Sequence, residues 1–279
     1  MSKVKNVAPF LKWVGGKRQL LAEIREQLPN TISRYRYFEP FIGGGATFFA
    51  LQPRHAVIND YNPELINAYR VIRDNPELLI QDLRNHVNTS DYYYEIRNID
   101  RDENAYRRLT DIQRASRIIY LNKTCYNGLY RVNSSGQFNV PFGSYKNPNI
   151  VNETVIRAIN KYLNSNDVEI LNGDYAEVLR MADRHSFIYL DPPYHPISNS
   201  SNFTSYVQGG WNANEQLRLR DFCNLLTENH TRFLLSNSDC PFIREIYDGY
   251  NIIAVQATRA INSNGNGRGA INELLIKNY

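Results

Sequence analysis

Short apolar runs that each stop at an acid or an amide punctuate this chain, separated by stretches whose apolar residues recur at helical spacing. Tyr37-Phe38-Glu39-Pro40 leads into Phe41-Ile42-Gly43-Gly44-Gly45-Ala46 and an apolar stretch through Phe49 to Leu51, which reads as strand, glycine turn and helix. Ala56-Val57-Ile58-Asn59 is a second short strand ending at Asp60, and a helix begins at Pro63-Glu64 with Leu65, Ala68, Tyr69 and Ile72 on one face. Further on, Val168-Glu169-Ile170-Leu171 runs to Asp174, Phe187-Ile188-Tyr189-Leu190 to Asp191, and Arg232-Phe233-Leu234-Leu235 to Ser236-Asn237. Ile252 to Val255 and Leu274 to Ile276 flank a loop from Asn262 to Gly269 and read as a hairpin. Strands alternating with helices predict an α/β fold with a mostly parallel sheet covered on both faces.

Between about residues 75 and 165 the pattern changes. Charges become dense, and one amphipathic helix is expected with Leu109, Ile112, Ala115 and Ile119 inside and Arg107, Arg108, Arg114 and Arg117 largely outside. A solvated charged face is the simpler reading of those arginines. A polar run with interleaved aromatics follows, from Tyr126-Asn127-Gly128-Leu129-Tyr130-Arg131 to Pro141-Phe142-Gly143-Ser144-Tyr145-Lys146. This region reads as an insert with its own task.

Composition narrows the class but not the chemistry. With 279 residues, 42% hydrophobic and 22% charged, the chain is an ordinary globular protein of one large domain or a core domain with an insert. Its 32 basic and 28 acidic residues give +4, which permits a polyanionic partner without demanding one. Twenty tyrosines could stack on bases, though composition alone favours a Tyr-rich core and surface. Cys125, Cys223 and Cys240 lack metal-ligand spacing, so free thiols in a reducing compartment and no metal are expected. The basic N-terminal stretch has no apolar h-region and no run reaches membrane-spanning length, so a cytoplasmic protein with no membrane partner is expected.

Two constellations carry candidate chemistry. Asp191-Pro192-Pro193-Tyr194 at a strand end is suited to holding a flat, amino-bearing ring, although Pro-Pro is also common turn punctuation. Gly43 to Gly45 after a strand lets a ligand approach the backbone, and Asp60 lies roughly twenty residues beyond Glu39, the offset at which an acid reaches ribose hydroxyls. The third glycine of a dinucleotide fingerprint is replaced by Phe48, which disfavours NAD or FAD. Gly15-Gly16-Lys17-Arg18 lacks the spacing of a phosphate loop. A nucleoside ligand accounts best for the glycine turn with Asp60 and Asp174.

In this order, a glycine-rich nucleoside site, a basic and aromatic insert and then Asp-Pro-Pro-Tyr, the chain resembles the Dam family of DNA adenine-N6 methyltransferases, of the α-group. The resemblance rests on residues 10–17 (Phe-Leu-Lys-Trp-Val-Gly-Gly-Lys), 38–45, 126–131, 138–143, 191–194, Asn202-Phe203-Thr204 and Ser263-Asn264-Gly265. It implies a Rossmann-like, S-adenosylmethionine-dependent methyltransferase sheet (residues 1–70 and 165–279) with an inserted, mainly helical target-recognition domain (71–164). It implies S-adenosylmethionine as donor, contacted by Trp13, Lys17, Glu39, Phe41, Gly43, Asp60, Asp174 and Asp191, though Trp13 reads equally as a core aromatic. It implies double-stranded DNA as substrate, in a bacterial or phage-infected cell, with a restriction endonuclease acting on the same site as an allowed partner.

Within that family pattern, Asp191 and the Pro192 carbonyl would accept both hydrogens of an adenine N6, whose lone pair is otherwise delocalised, while Tyr194 stacks on the ring. Asp191 beside a sulfonium would stay ionised. Lys12, Tyr126, Asn127, Leu129, Arg131, Pro141 and Tyr145 match DNA-contacting positions, with Arg131 and Lys12 as guanine readers and GATC as the implied target. Ser144 departs from the basic residue often present there. An N4-cytosine methyltransferase shares the amino-group chemistry, and a DNA-binding protein without catalysis shares the insert. A C5-cytosine enzyme is excluded because Cys240 precedes its proline, and a protein-glutamine methyltransferase would carry Asn at position 191.

Overall fold

The computed structural model describes residues 3–13, 15–196, 211–258 and 270–279. The Asn202-Phe203-Thr204 and Ser263-Asn264-Gly265 motifs and the hairpin tip lie outside the described residues. Seven strands, β1 (Arg36–Glu39), β2 (His55–Asp60), β3 (Asp167–Asn172), β4 (Ser186–Leu190), β5 (Arg232–Ser238), β6 (Asn251–Thr258) and β7 (Ala270–Lys277), form one sheet in the order β3-β2-β1-β4-β5-β7-β6. β1 pairs in parallel with β2 and β4, and β4 with β5. β7 is antiparallel to both β5 and β6, so the expected hairpin is present with its second strand turned inward. This is the α/β sheet that the acid-terminated runs predicted.

The topology decides where chemistry can sit. The strand order reverses between β1 and β4, and a crevice opens at the carboxyl ends of parallel strands at such a point. Glu39 ends β1 there, and Asp191 immediately follows β4. Every residue of β4 is buried, which explains why it reads as an unbroken apolar run rather than an alternating one.

The chain forms two compact units. The first comprises Met1–Gly16, Gly43–Gln52 and Asn62–Asn172. Its helix Pro63–Asp74 begins where the Asn62 side chain accepts from the Glu64 and Leu65 amides, with proline in the first turn. Its helix Asp111–Thr124 is closed by a capping box between Thr110 and Gln113. Leu109 therefore precedes the helix rather than lining it.

The arginine face expected on that helix needs a further correction. Arg117 is buried: it pairs with Asp100 at 2.9 Å and donates to the carbonyls of Ile96 and Arg97, in the last turn of the helix Ser90–Asn98. Helical periodicity could not see that a neighbouring helix ends there with unpaired carbonyls to satisfy. Arg114 is likewise drawn in, by Glu64.

The second unit comprises Lys17–Ile42, Pro53–Tyr61 and Gly173–Tyr279. In it the helix Ala213–Glu228 packs on β5 and buries Leu219, Cys223 and Leu226. All three cysteines of the chain are free and buried. Among the described residues no helix is long and apolar enough to cross a membrane.

Candidate active site and nucleic-acid interface

Asp191 leaves the end of β4 with its Oδ1 accepting from Lys17 Nζ at 2.8 Å and Ser236 Oγ at 3.0 Å. Both of these contacts with described residues fall on one oxygen, Oδ1. Burial pushes the Asp191 carboxyl above the usual carboxylate range, and the Lys17 ammonium and the Ser236 hydroxyl oppose that rise. A positive charge that opposes this rise is thus built into the protein.

The second proline has a structural use. The Pro193 carbonyl accepts from Gln216 Nε2 at 2.9 Å, and the Gln216 Oε1 accepts from Asn237 at 3.0 Å. Asn237 Oδ1 in turn accepts from the His195 amide at 3.2 Å. Gln216 and Asn237 are fully buried, so these bonds fix the loop from beneath. Pro193 is thereby the anchor of the turn. Tyr194 donates its hydroxyl to Glu273 Oε2 at 2.6 Å and offers its ring to Lys17 Nζ, 4.5 Å from the centroid. Burial pushes the Tyr194 phenol well above its ordinary value, so it stays a neutral donor.

A second group of residues in the same unit has the features of a nucleoside pocket. Asp174 caps the helix Tyr175–Arg180 through the Ala176 amide, and Arg218 grips it with two hydrogen bonds of 2.9 and 2.8 Å. Burial works against the Asp174 carboxylate, but Arg218 and the Ala176 amide outweigh it and hold it below the usual range. Phe41 meets Tyr175 at 5.1 Å and Trp211 at 5.4 Å between ring centroids. Among the described residues the buried Tyr175 hydroxyl, Trp211 indole N–H and Asn59 Oδ1 find no hydrogen-bond partner. Buried polar atoms left unpaired beside flat apolar rings suit a ligand that brings both an aromatic ring and hydrogen-bonding groups. Asp60 ends β2, and its carbonyl accepts from Gly173 at 3.3 Å. Glu39 is buried and accepts from the Tyr37 hydroxyl at 2.6 Å.

The remaining candidates belong to the first unit. Trp13 is half-buried and stacks on Tyr130, with centroids 5.0 Å apart. Gly43, at φ +47°, lies against the same indole: an added Cβ would meet Trp13 Cδ1 at 2.8 Å, so no other residue fits there.

Lys12 lies over the Tyr145 ring at 4.3 Å. Buried Asn122 ties the backbone of Lys12 to the 126–131 loop. It accepts from the Lys12 amide at 2.8 Å and donates to the carbonyls of Lys12 and Gly128 at 2.7 and 3.0 Å. Tyr126 donates its amide to the Pro141 carbonyl, and Tyr126, Asn127 and Pro141 are exposed beside half-buried Leu129. Asn127 takes a left-handed φ of +55°, which turns the loop out. Arg131 uses Nε and one Nη on Asn139, at 2.7 and 3.2 Å, leaving its other N–H groups available. Lys12, Tyr145 and the 126–131 loop, far apart in sequence, therefore share one face.

Sequence reasoning missed Ser236, Glu273, Arg218, Trp211, Asn122 and Asn139. Ser236 and Asn237 had been marked only as a strand end. Glu273 and Arg218 carry no local signal, because their partners Tyr194 and Asp174 are distant along the chain, whereas Asn139 lies inside the 138–143 motif and only its grip on Arg131 is new.

Comparison with known proteins identifies the family. Residues 13–261 match the model of the D12 class N6 adenine-specific DNA methyltransferases. The chain is 46% identical over 276 residues to the type II methyltransferase M1.LlaDCHI of Lactococcus lactis subsp. cremoris, covering 98% of this chain and 96% of the relative. It is 40% identical over 291 residues to the type II methyltransferase M.MjaIII of Methanocaldococcus jannaschii, covering 98% and 99%. It is 33% identical over 277 residues to the DNA adenine methylase of Escherichia coli K12, covering 98% and 95%. With an acid, two prolines and a tyrosine at the switch point of its sheet and a family match over most of its length, the chain belongs to the D12 class of N6 adenine-specific DNA methyltransferases.

Proposed function

We propose that the protein methylates N6 of an adenine flipped out of duplex DNA, within GATC, with S-adenosylmethionine as donor. The observation that carries the reading is Asp191, whose Oδ1 is occupied, among the described residues, by Lys17 and Ser236 while Oδ2 is left for an amine beside the Tyr194 ring. Asp191 and the Pro192 carbonyl accept the two N6 hydrogens and draw the nitrogen toward a tetrahedral, nucleophilic geometry. Tyr194 holds the ring plane. The donor supplies an electrophilic methyl group on a sulfonium. In its recognition, Asp174 accepts from the adenine amino group, Asp60 from the ribose hydroxyls, and Phe41 and Glu39 line the methionine end. Trp13, Lys17 and Gly43 carry the donor roles that the family pattern gives them. The rate gain comes from positioning and electrostatics rather than from a covalent enzyme intermediate.

Residues 71–164 serve as the target-recognition region and 1–70 with 165–279 as the catalytic part. Unstacking the target base costs a few kcal/mol, which contacts from Lys12, Tyr126, Asn127, Leu129, Arg131, Pro141 and Tyr145 offset. The type II names of two relatives support a restriction endonuclease of the same sequence as partner. Long-read mapping of DNA from cells expressing the protein tests the reading directly: methylated adenine confined to GATC is expected, and another context or unmodified adenine overturns it.

The Lys17–Asp191 pair makes a pH prediction. Asp191 must be ionised to draw on the amine; burial raises its pKa and the Lys17 charge lowers it. Removing Lys17 lets the carboxyl protonate at higher pH. Lys17→Ala is therefore expected to shift the acid limb of the single-turnover pH–rate profile upward, at saturating donor and DNA. A limb that stays put or moves down would remove the pair from the mechanism.

A further inference from the structure

Glu273 comes from β7, where its backbone pairs with Ser238 of β5 and Val255 of β6. Its carboxylate receives the Tyr194 hydroxyl at 2.6 Å, a short bond of the charge-assisted kind. The other face of this arrangement holds a cation: Lys17 Nζ stands 4.5 Å from the Tyr194 centroid while it also bonds Asp191. An ammonium is thus found where two interactions converge, the carboxylate of Asp191 and the ring of Tyr194. Asp191 is the group assigned above to the target amine, and Tyr194 the ring assigned to the base that carries it. An aromatic face attracts positive charge through its quadrupole, and a phenol that donates to an anion carries more electron density on its ring.

The chemistry gives that density a use. The N6 lone pair forms the new N–C bond as the C–S bond breaks with its electron pair staying on sulfur. The nitrogen is left positive until it passes a proton to Asp191. During that interval a cation stands over Tyr194. We propose that Glu273 is a positioning residue for catalysis: through the Tyr194 hydroxyl it fixes the ring and enriches its face, so that the ring stabilises the charge developing on the target nitrogen. This inference rests on the function proposed above.

Glu273→Gln tests it, because glutamine keeps a carbonyl acceptor for the Tyr194 hydroxyl and removes only the charge. The single-turnover methylation rate is expected to fall about fivefold, with donor and DNA affinities unchanged, as suits a cation–π term of modest size. Tyr194→Phe, which keeps the ring and severs the link, should fall by a similar factor. The double variant should be no slower than Tyr194→Phe alone. A wild-type rate in Glu273→Gln overturns the proposal, as does a double variant whose losses multiply, since Glu273 would then act by another route. A loss confined to substrate affinity makes Glu273 a structural support and also overturns it. Asp191→Ala, measured alongside, separates the two levels: full activity there sinks the proposed function itself, whereas its loss beside a fully active Glu273→Gln sinks only the role of Glu273.

Discussion

Asp191→Ala is expected to lower the methyl-transfer rate by at least about 10²–10³-fold while duplex binding remains measurable. The alanine removes the acceptor for the N6 hydrogen and leaves Lys17 and Ser236 without their shared oxygen. The residues proposed to contact DNA, Lys12, Tyr145 and the 126–131 loop, belong to the other compact unit. Single-turnover incorporation of labelled methyl groups and a separate mobility-shift titration read the two effects independently. A variant that methylates at the wild-type rate would refute the mechanism. One that loses transfer and binding together would show that the substitution damaged the fold.

Arg131→Ala is expected to relax sequence choice, lowering discrimination against substituted sites by about 1–3 kcal/mol while nonspecific binding changes little. Asn139 holds Nε and one Nη of this arginine, so its remaining N–H groups are aimed before DNA arrives. A side chain already held loses less freedom on binding, which concentrates its contribution in the specific complex. Competition methylation of a GATC duplex against single-base variants measures the ratio. Unchanged discrimination removes Arg131 from the reader set.

Much of this was legible because the sheet writes itself into the chain. Buried parallel strands are continuous apolar runs, and Glu39 and Asp60 end two of them while Asp191 immediately follows a third. The exposed loop residues Tyr126, Asn127 and Pro141 were legible from composition of the insert and from family pattern. What stayed hidden was pairing. Arg218 is separated from Asp174 by 44 positions and Glu273 from Tyr194 by 79, so nothing near either residue reveals its partner. Arg117 was misread for a related reason. Helical periodicity reports which way a residue faces, but not that the neighbouring element presents Asp100 and two helix-end carbonyls to receive a charge. The use of the Pro193 carbonyl was hidden for the same reason, because its donor Gln216 lies 23 positions along the chain.

Asn122 carries a consequence for how specificity can be moved between proteins. One buried amide joins Lys12 to Gly128 across a separation of 110 residues from the lysine, and Gly128, at φ +63°, lies so close that a Cβ would reach the Lys12 side chain at 2.5 Å. The lysine and the loop are held in register by that amide, which stands on the helix Asp111–Thr124. If residues 126–145 read DNA as proposed, a transplant of that segment alone would leave behind both Asn122 and Lys12. Under the proposed reading, side chains of the loop can change only within the constraint that Gly128 sets against Lys12.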